Sequence, residues 1–153
     1  MLGRSDLEGL KVLDIGSGSG LFSVAAARLG AHVRSFDYDG ASVACTVELK
    51  RRYGDQISSW QVSEASVLDE NLMQDLGKFD IVHSWSVLHY TGDMWRAIEN
   101  AIDAVAESGD LLYSDLQRSG ISQLDLVRDK TPVRSHDYAR HAQGSAVAQL
   151  EKL

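Results

Sequence analysis

Residues 11–20 read KVLDIGSGSG, and this stretch decides the fold. Lys11 to Ile15 form a short apolar run between polar neighbours, the pattern of a buried strand. Gly16, Gly18 and Gly20 then fall at alternate positions just after the carboxylate of Asp14. Glycine loses more conformational freedom on folding than any other residue, so three in five positions imply that something approaches the main chain closely. The following LFSVAAARLG has the composition of a helix, with Gly30 as its stop signal. Strand, glycine loop and helix in this order open a unit of parallel sheet, and the loop lies where ligands settle at the carboxyl ends of such strands.

Outward from this stretch the alternation continues. HVRSFD, residues 32–37, reads as a second strand, and Asp39 is placed to cap GASVACTVELKRRYG, with Val43, Val47 and Leu49 as its apolar side and Gly54 at its end. A weaker strand is expected over 58–62, a short acidic helix over 71–76 and a clear buried strand over 79–83. In DMWRAIENAIDAVAES the residues Ala97, Ile98, Ala101, Ile102 and Val105 recur at helical spacing, and Ser108 to Asp110 read as a turn into a last strand, LLY. Strict alternation of strand and helix predicts an α/β, Rossmann-like parallel sheet with helices on both faces.

The length, 153 residues, suits one domain. No stretch approaches the roughly 20 apolar residues of a membrane span, and MLGRSDLEGL lacks the apolar core of a signal peptide, so a cytoplasmic location is expected. Cys45 is the only cysteine, which excludes an intrachain disulfide. The net charge of −7 argues against a nucleic-acid backbone as main partner. Residues 1–113 carry 9 basic and 17 acidic side chains, whereas 114–153 carry 6 and 5, so the last quarter differs in kind.

Two ligand classes compete for a loop of this type. Dinucleotide folds use G-x-G-x-x-G, but the position of the third glycine is Leu21 and the spacing here is G-x-G-x-G, which disfavours the alternative of an NAD-dependent oxidoreductase. Asp37, closing the second strand, suits the vicinal hydroxyls of a ribose in either class, because a carboxylate offers several lone pairs and no competing donor. No G-x-S-x-G elbow and no Walker lysine is present, so hydrolase and phosphoryl-transfer chemistry lack residues to carry them. His136 and His141 are five residues apart and do not share a helical face, which leaves them without a metal-ligand pattern.

On these residues the chain resembles the class I S-adenosylmethionine-dependent methyltransferases, and most closely a small-molecule branch in which a strand leads into V-L-H and a D-M-W helix start. The resemblance rests on VLDIGSGSGLFSVAAARLGA, SFDYD, SVLD at 66–69 and FDIVHSWSVLHYTGDMWRAIENA, and covers about residues 7–113. It implies S-adenosylmethionine as cofactor and a small-molecule substrate as partner. By the same resemblance Asp14 and the loop Gly16, Ser17 and Gly18 hold the methionine portion, with Gly20 completing the motif. Asp37 holds the ribose hydroxyls, Ser66 and Val67 face the adenine, and Ser84 lies beside the methyl donor. Tyr38 is placed to pack on the adenine ring, while Asp14 has the alternative of only anchoring the loop. His89 is the candidate base for an acceptor that must lose a proton, its alternative being a pocket wall. His83 reads as a structural histidine at a strand end, and Trp85 and Trp95 as packing residues.

From Ser114 onward the chain departs from the branch's pattern. ISQLDLVRDK has helical potential that Thr131-Pro132 would break, and a disrupted reading frame is expected as the origin of the change. The expected organisation is a cofactor-binding core over 1–113 and an atypical, poorly structured or partly helical tail over 114–153, the C-terminal strands being missing or irregular. Leu111 to Tyr113 would then lie near an exposed sheet edge prone to association.

Overall fold

The computed structural model describes residues 6–53, 57 and 59–114, and the backbone of 125–127. Strands β1 (Lys11–Ile15), β2 (His32–Asp37), β3 (Trp60–Glu64), β4 (Phe79–Trp85) and β5 (Val105–Ser114) alternate with helices α1 (Leu21–Arg28), α2 (Gly40–Tyr53), α3 (Glu70–Leu76) and α4 (Met94–Asp103). A 3-10 turn, Leu88–Tyr90, precedes α4. The five strands form a parallel sheet in the order β3-β2-β1-β4-β5, and β6 (Asp125–Val127) adds to β5 in the antiparallel sense. The expected Rossmann-like α/β architecture is therefore the observed one.

Both faces of the sheet are covered, which is why the central strands read as continuous apolar runs. One face buries Leu13, Ile15, Phe36, Val82 and Leu111 against Met73, Ala97, Ile98 and Ala101 of α3 and α4. The other buries Val12, Val33, Ile81, Leu112 and Trp60 against Ala26 and Ala27 of α1. The small side chains of α1 let its axis approach the sheet closely. Helix α4 starts where Asp93 accepts a hydrogen bond from the Arg96 N–H at 3.2 Å, and α3 starts where Asp69 accepts from the Leu72 N–H at 3.1 Å. Each carboxylate satisfies a donor that the first helical turn leaves unpaired.

Several expectations are corrected. Val105 opens β5 instead of continuing α4, and residues 108–110 lie inside that strand, not in a turn before it. Helical phase favours Val105 for α4, but its backbone pairs with Phe79, where the β4–β5 register is irregular. At that irregularity a side chain on Gly109 would stand 2.8 Å from the Phe79 carbonyl oxygen, so only glycine fits. In α2 the buried residue is Thr46, whereas Val47 of the expected apolar side is exposed. Within the stretch read as potentially helical, residues 125–127 are a strand. That strand pairs with Leu111, Leu112 and Tyr113, so the edge expected to be open is covered there. His136, His141, Gly54 and the rest of the tail lie outside the described residues. Among the described residues no helix is long and apolar enough to cross a membrane.

Candidate cofactor site

Strand order reverses between β1 and β4, since the chain leaves β1 toward β2 on one side and returns to β4 on the other. A crevice at the carboxyl ends of strands belongs at such a point. The loop from Gly16 to Gly20 follows β1 at this point. The N–H groups of Gly16 and Ser17 both donate to the Phe36 carbonyl, at 2.9 and 3.0 Å, and the Gly18 N–H donates to Asp37 Oδ2 at 2.9 Å. The loop is thus tied to the end of β2 by main chain and carboxylate alike. Asp37 Oδ1 accepts from the Asp39 N–H at 3.0 Å. Each oxygen of this half-buried carboxylate so far accepts one hydrogen bond, and lone pairs remain for further donors.

Gly16, Gly18 and Gly20 adopt φ of 74°, 54° and 78°, the left-handed region in which a side chain is strained. Their surroundings separate their tasks. A Cβ on Gly16 would lie 2.3 Å from a methyl of Val87, and one on Gly20 would lie 2.9 Å from the Thr46 methyl, so these two glycines admit protein neighbours. Around Gly18 no heavy atom of the described residues beyond its chain neighbours comes within 4 Å of that position. The close approach foreseen from sequence is made by protein at two of the three positions, and the third faces open space beside Asp37. Below the loop, Thr46 Oγ1 donates to the Gly18 carbonyl at 3.0 Å and lies 3.3 Å from Ser17 Oγ.

Asp14 is buried, and both its oxygens are engaged within the protein. Oδ2 accepts from Ser23 Oγ at 2.5 Å and Oδ1 lies 2.9 Å from His83 Nδ1. Ser23 Oγ meets Ser35 Oγ at 2.6 Å, and Trp60 Nε1 donates to Ser35 Oγ at 2.7 Å. An unpaired carboxylate in this position would be costly to bury, and the donors around it remove that cost. Both oxygens of Asp14 thus meet side chains that flank the loop, one from α1 and one from β4.

Across the crevice, Ser84 is fully buried and its hydroxyl has no hydrogen-bond partner among the described residues. Ser86 takes φ 57°, uncommon for a residue with a side chain, at the bend that carries Val87 over Gly16. His89 stands in the 3-10 turn with both ring nitrogens buried and its ring against Tyr90, centroids 4.0 Å apart. Beyond β3, Ser66 Oγ accepts from the Leu68 N–H at 3.1 Å, while Val67 sits in the core with its carbonyl bound by Asn100 Nδ2 at 2.8 Å. Tyr38, next to Asp37, is 81% exposed, so its ring is free to meet a ligand.

The loop, Asp14, Asp37 and the end of β4 lie at the carboxyl ends of neighbouring strands of the sheet. The supporting layer of Ser23, Ser35, Thr46 and His83 was not foreseen as a set. Its signal in the sequence is faint: Ser23 is a lone hydroxyl in the run LFSVAAARL, a polar residue where helical phase puts the core.

Comparison with known proteins bears on this site. The family described as methyltransferase domain matches residues 2–150. The match extends past Tyr113, where the resemblance was expected to end, and includes the tail that a disrupted reading frame was expected to explain. A ubiquinone biosynthesis O-methyltransferase of Coxiella burnetii is 27% identical over 152 residues, covering 94% of this chain and 62% of that protein. The chain thus spans less than two thirds of that curated relative. An arsenic(III) S-adenosylmethionine methyltransferase from Chlamydomonas reinhardtii superposes with a TM-score of 0.61 at 27% identity, covering 73% of this chain and 40% of the other. A protein of Aquifex aeolicus described as S-adenosylmethionine-dependent methyltransferase shares the fold, with a TM-score of 0.63 at 18% identity over 91% of this chain and 72% of the other.

Proposed function

The chain belongs to the methyltransferase domain family, of the class I S-adenosylmethionine-dependent kind, and from that premise we propose that it transfers the methyl group of S-adenosylmethionine to a small or medium-sized acceptor. The observation that carries the reading is the open left-handed turn at Gly18, with nothing among the described residues within 4 Å of its missing side chain, held by the Asp37 carboxylate at 2.9 Å. Main chain without side chains beside a carboxylate with free lone pairs suits the sugar and methionine ends of such a cofactor.

In this reading Asp37 accepts the ribose hydroxyls and Tyr38 covers the adenine, whose other contacts come from the Ser66–Val67 segment. Gly16, Ser17 and Gly18 face the methionine portion, Gly20 starts α1 behind them, and Asp14 acts from below by holding the loop. The buried hydroxyl of Ser84 supplies a polar contact on the β4 side. The cofactor brings an electrophilic methyl group on a sulfonium sulfur. The protein's part is to align donor and acceptor and to exclude water. Where the acceptor carries a proton, His89 takes it, which requires the turn Leu88–Tyr90 to shift so that a ring nitrogen emerges.

The test is to incubate the chain with S-adenosylmethionine and a panel of phenols, amines, thiols and carboxylic acids, and to measure S-adenosylhomocysteine. Turnover with one class identifies the acceptor atom. Binding of S-adenosylhomocysteine without turnover on any class supports the second reading, a domain that holds the cofactor without catalysis. Absence of binding overturns both.

A further inference from the structure

The glycine loop is bounded by the end of β1 and the first turn of α1, and one residue of β4 grips both. His83 Nδ1 lies 2.9 Å from Asp14 Oδ1, just before the loop, and its imidazole stacks on Phe22, just after it, with ring centroids 3.6 Å apart and planes within 9°. The protons around Asp14 can be followed one by one. The indole of Trp60 only donates, so Ser35 accepts from it and passes its own proton toward Ser23, which donates to Asp14 Oδ2. Asp14 Oδ1 is left for His83, and an ionised carboxylate accepts only, so Nδ1 carries the hydrogen. The chain of donors runs across β3, β2, α1 and β4 and converges on one carboxylate at the base of the loop.

We propose that His83 is a positioning residue for the cofactor loop, fixing Asp14 through its Nδ1–H, and with it the backbone of Gly16 to Gly18 that meets the cofactor. The inference rests on the cofactor reading above. It assigns His83, which lies inside β4 and not at its end as the sequence suggested, a task of its own, and it separates the hydrogen bond from the ring, because either can be kept without the other. His83→Asn retains an N–H donor near the Nδ1 position and removes the stack on Phe22. His83→Phe retains the stack and removes the donor.

The experiment measures S-adenosylhomocysteine affinity by calorimetry, together with amide hydrogen exchange at residues 16–18 in the unliganded proteins. A hydrogen bond to a charged partner is worth enough for its loss to weaken binding by about tenfold. His83→Phe should show that loss, with faster exchange at the loop amides, while His83→Asn stays within about threefold of the parent and keeps the protection. Affinity and protection undisturbed in His83→Phe, or lost in His83→Asn, overturn the proposal. Failure of the parent itself to bind S-adenosylhomocysteine overturns the cofactor reading instead, and the exchange comparison then still decides whether His83 orders the loop. If His83→Phe does not fold, His83→Asn decides alone: parent-like affinity and protection support the role, and loss of both ends it.

Discussion

Gly16→Val and Gly18→Val put the same side chain into the same loop and should fail in different ways. At Gly16 the new atoms meet Val87 at 2.3 Å, and such overpacking with left-handed strain typically costs about 1–3 kcal/mol of stability. Gly16→Ala combined with Val87→Ala should recover part of the loss of Gly16→Ala alone, since contacting residues are not additive. The remainder measures the backbone penalty at φ 74°. Gly18→Val meets no neighbour among the described residues, so it should melt closer to the parent yet lose measurable affinity for S-adenosylhomocysteine. Undiminished affinity there would mean that the cofactor passes elsewhere. On the proposed cofactor reading, Asp37→Ala removes acceptors for a ribose together with the Gly18 N–H contact, and calorimetry should show binding weaker by about 1–3 kcal/mol.

Helix α4 and helix α2 differ in how openly their sequences state their structure. In α4 the apolar residues hold one phase and Asp93 marks the start, and Asp93→Ala should lower stability by about 0.5–2 kcal/mol in denaturant unfolding, the usual loss for a helix cap. In α2 the helix was legible but its inward side was not, because Thr46 is buried to support Gly18 and Gly20 while Val47 faces outward. Periodicity reports apolar surface, and a polar residue buried for its hydrogen bonds escapes it. Val105 shows the converse: it fits the helical repeat of α4, yet pairing with Phe79 makes it a strand residue. The left-handed glycine turn was legible because positive φ and close neighbours leave a mark on residue type, whereas the layer beneath it is written only in tertiary contacts. On the surface of α2, Glu48 meets Arg51 and Arg52, and their hydrogen bonds lower its carboxyl to about 2. A lowered folded value makes the carboxylate's contribution complete above the ordinary 4.5 and lost as pH falls through about 2. The melting temperatures of Glu48→Gln and the parent should therefore converge over that interval in low salt, and a gap that widens toward acid would contradict the pairing.

At the scale of the whole molecule, one short pairing controls how the sheet ends. Strand β5 is long and is the last parallel strand among the described residues, and an open flank there would present unpaired N–H and C=O groups to other copies of the chain. Backbone pairing of Leu111, Leu112 and Tyr113 with Val127, Leu126 and Asp125 occupies that flank. Proline donates no hydrogen bond, and alternate residues of a strand direct their N–H groups to opposite sides, so Leu126→Pro with Val127→Pro removes a ladder donor whichever register position faces β5. The double variant should keep its affinity for S-adenosylhomocysteine, because the loop, Asp14 and Asp37 lie on β1 and β2, away from the altered edge. It should also gain concentration-dependent association, read as a rising mass by light scattering during gel filtration, while the parent's mass at matched concentrations rises less. Equal masses for the two proteins across the range would show that β6 does not protect the edge. Association accompanied by lost affinity would show that the edge and the cofactor crevice are coupled through the sheet, an outcome that the separation of β5 from the glycine loop by β4 argues against.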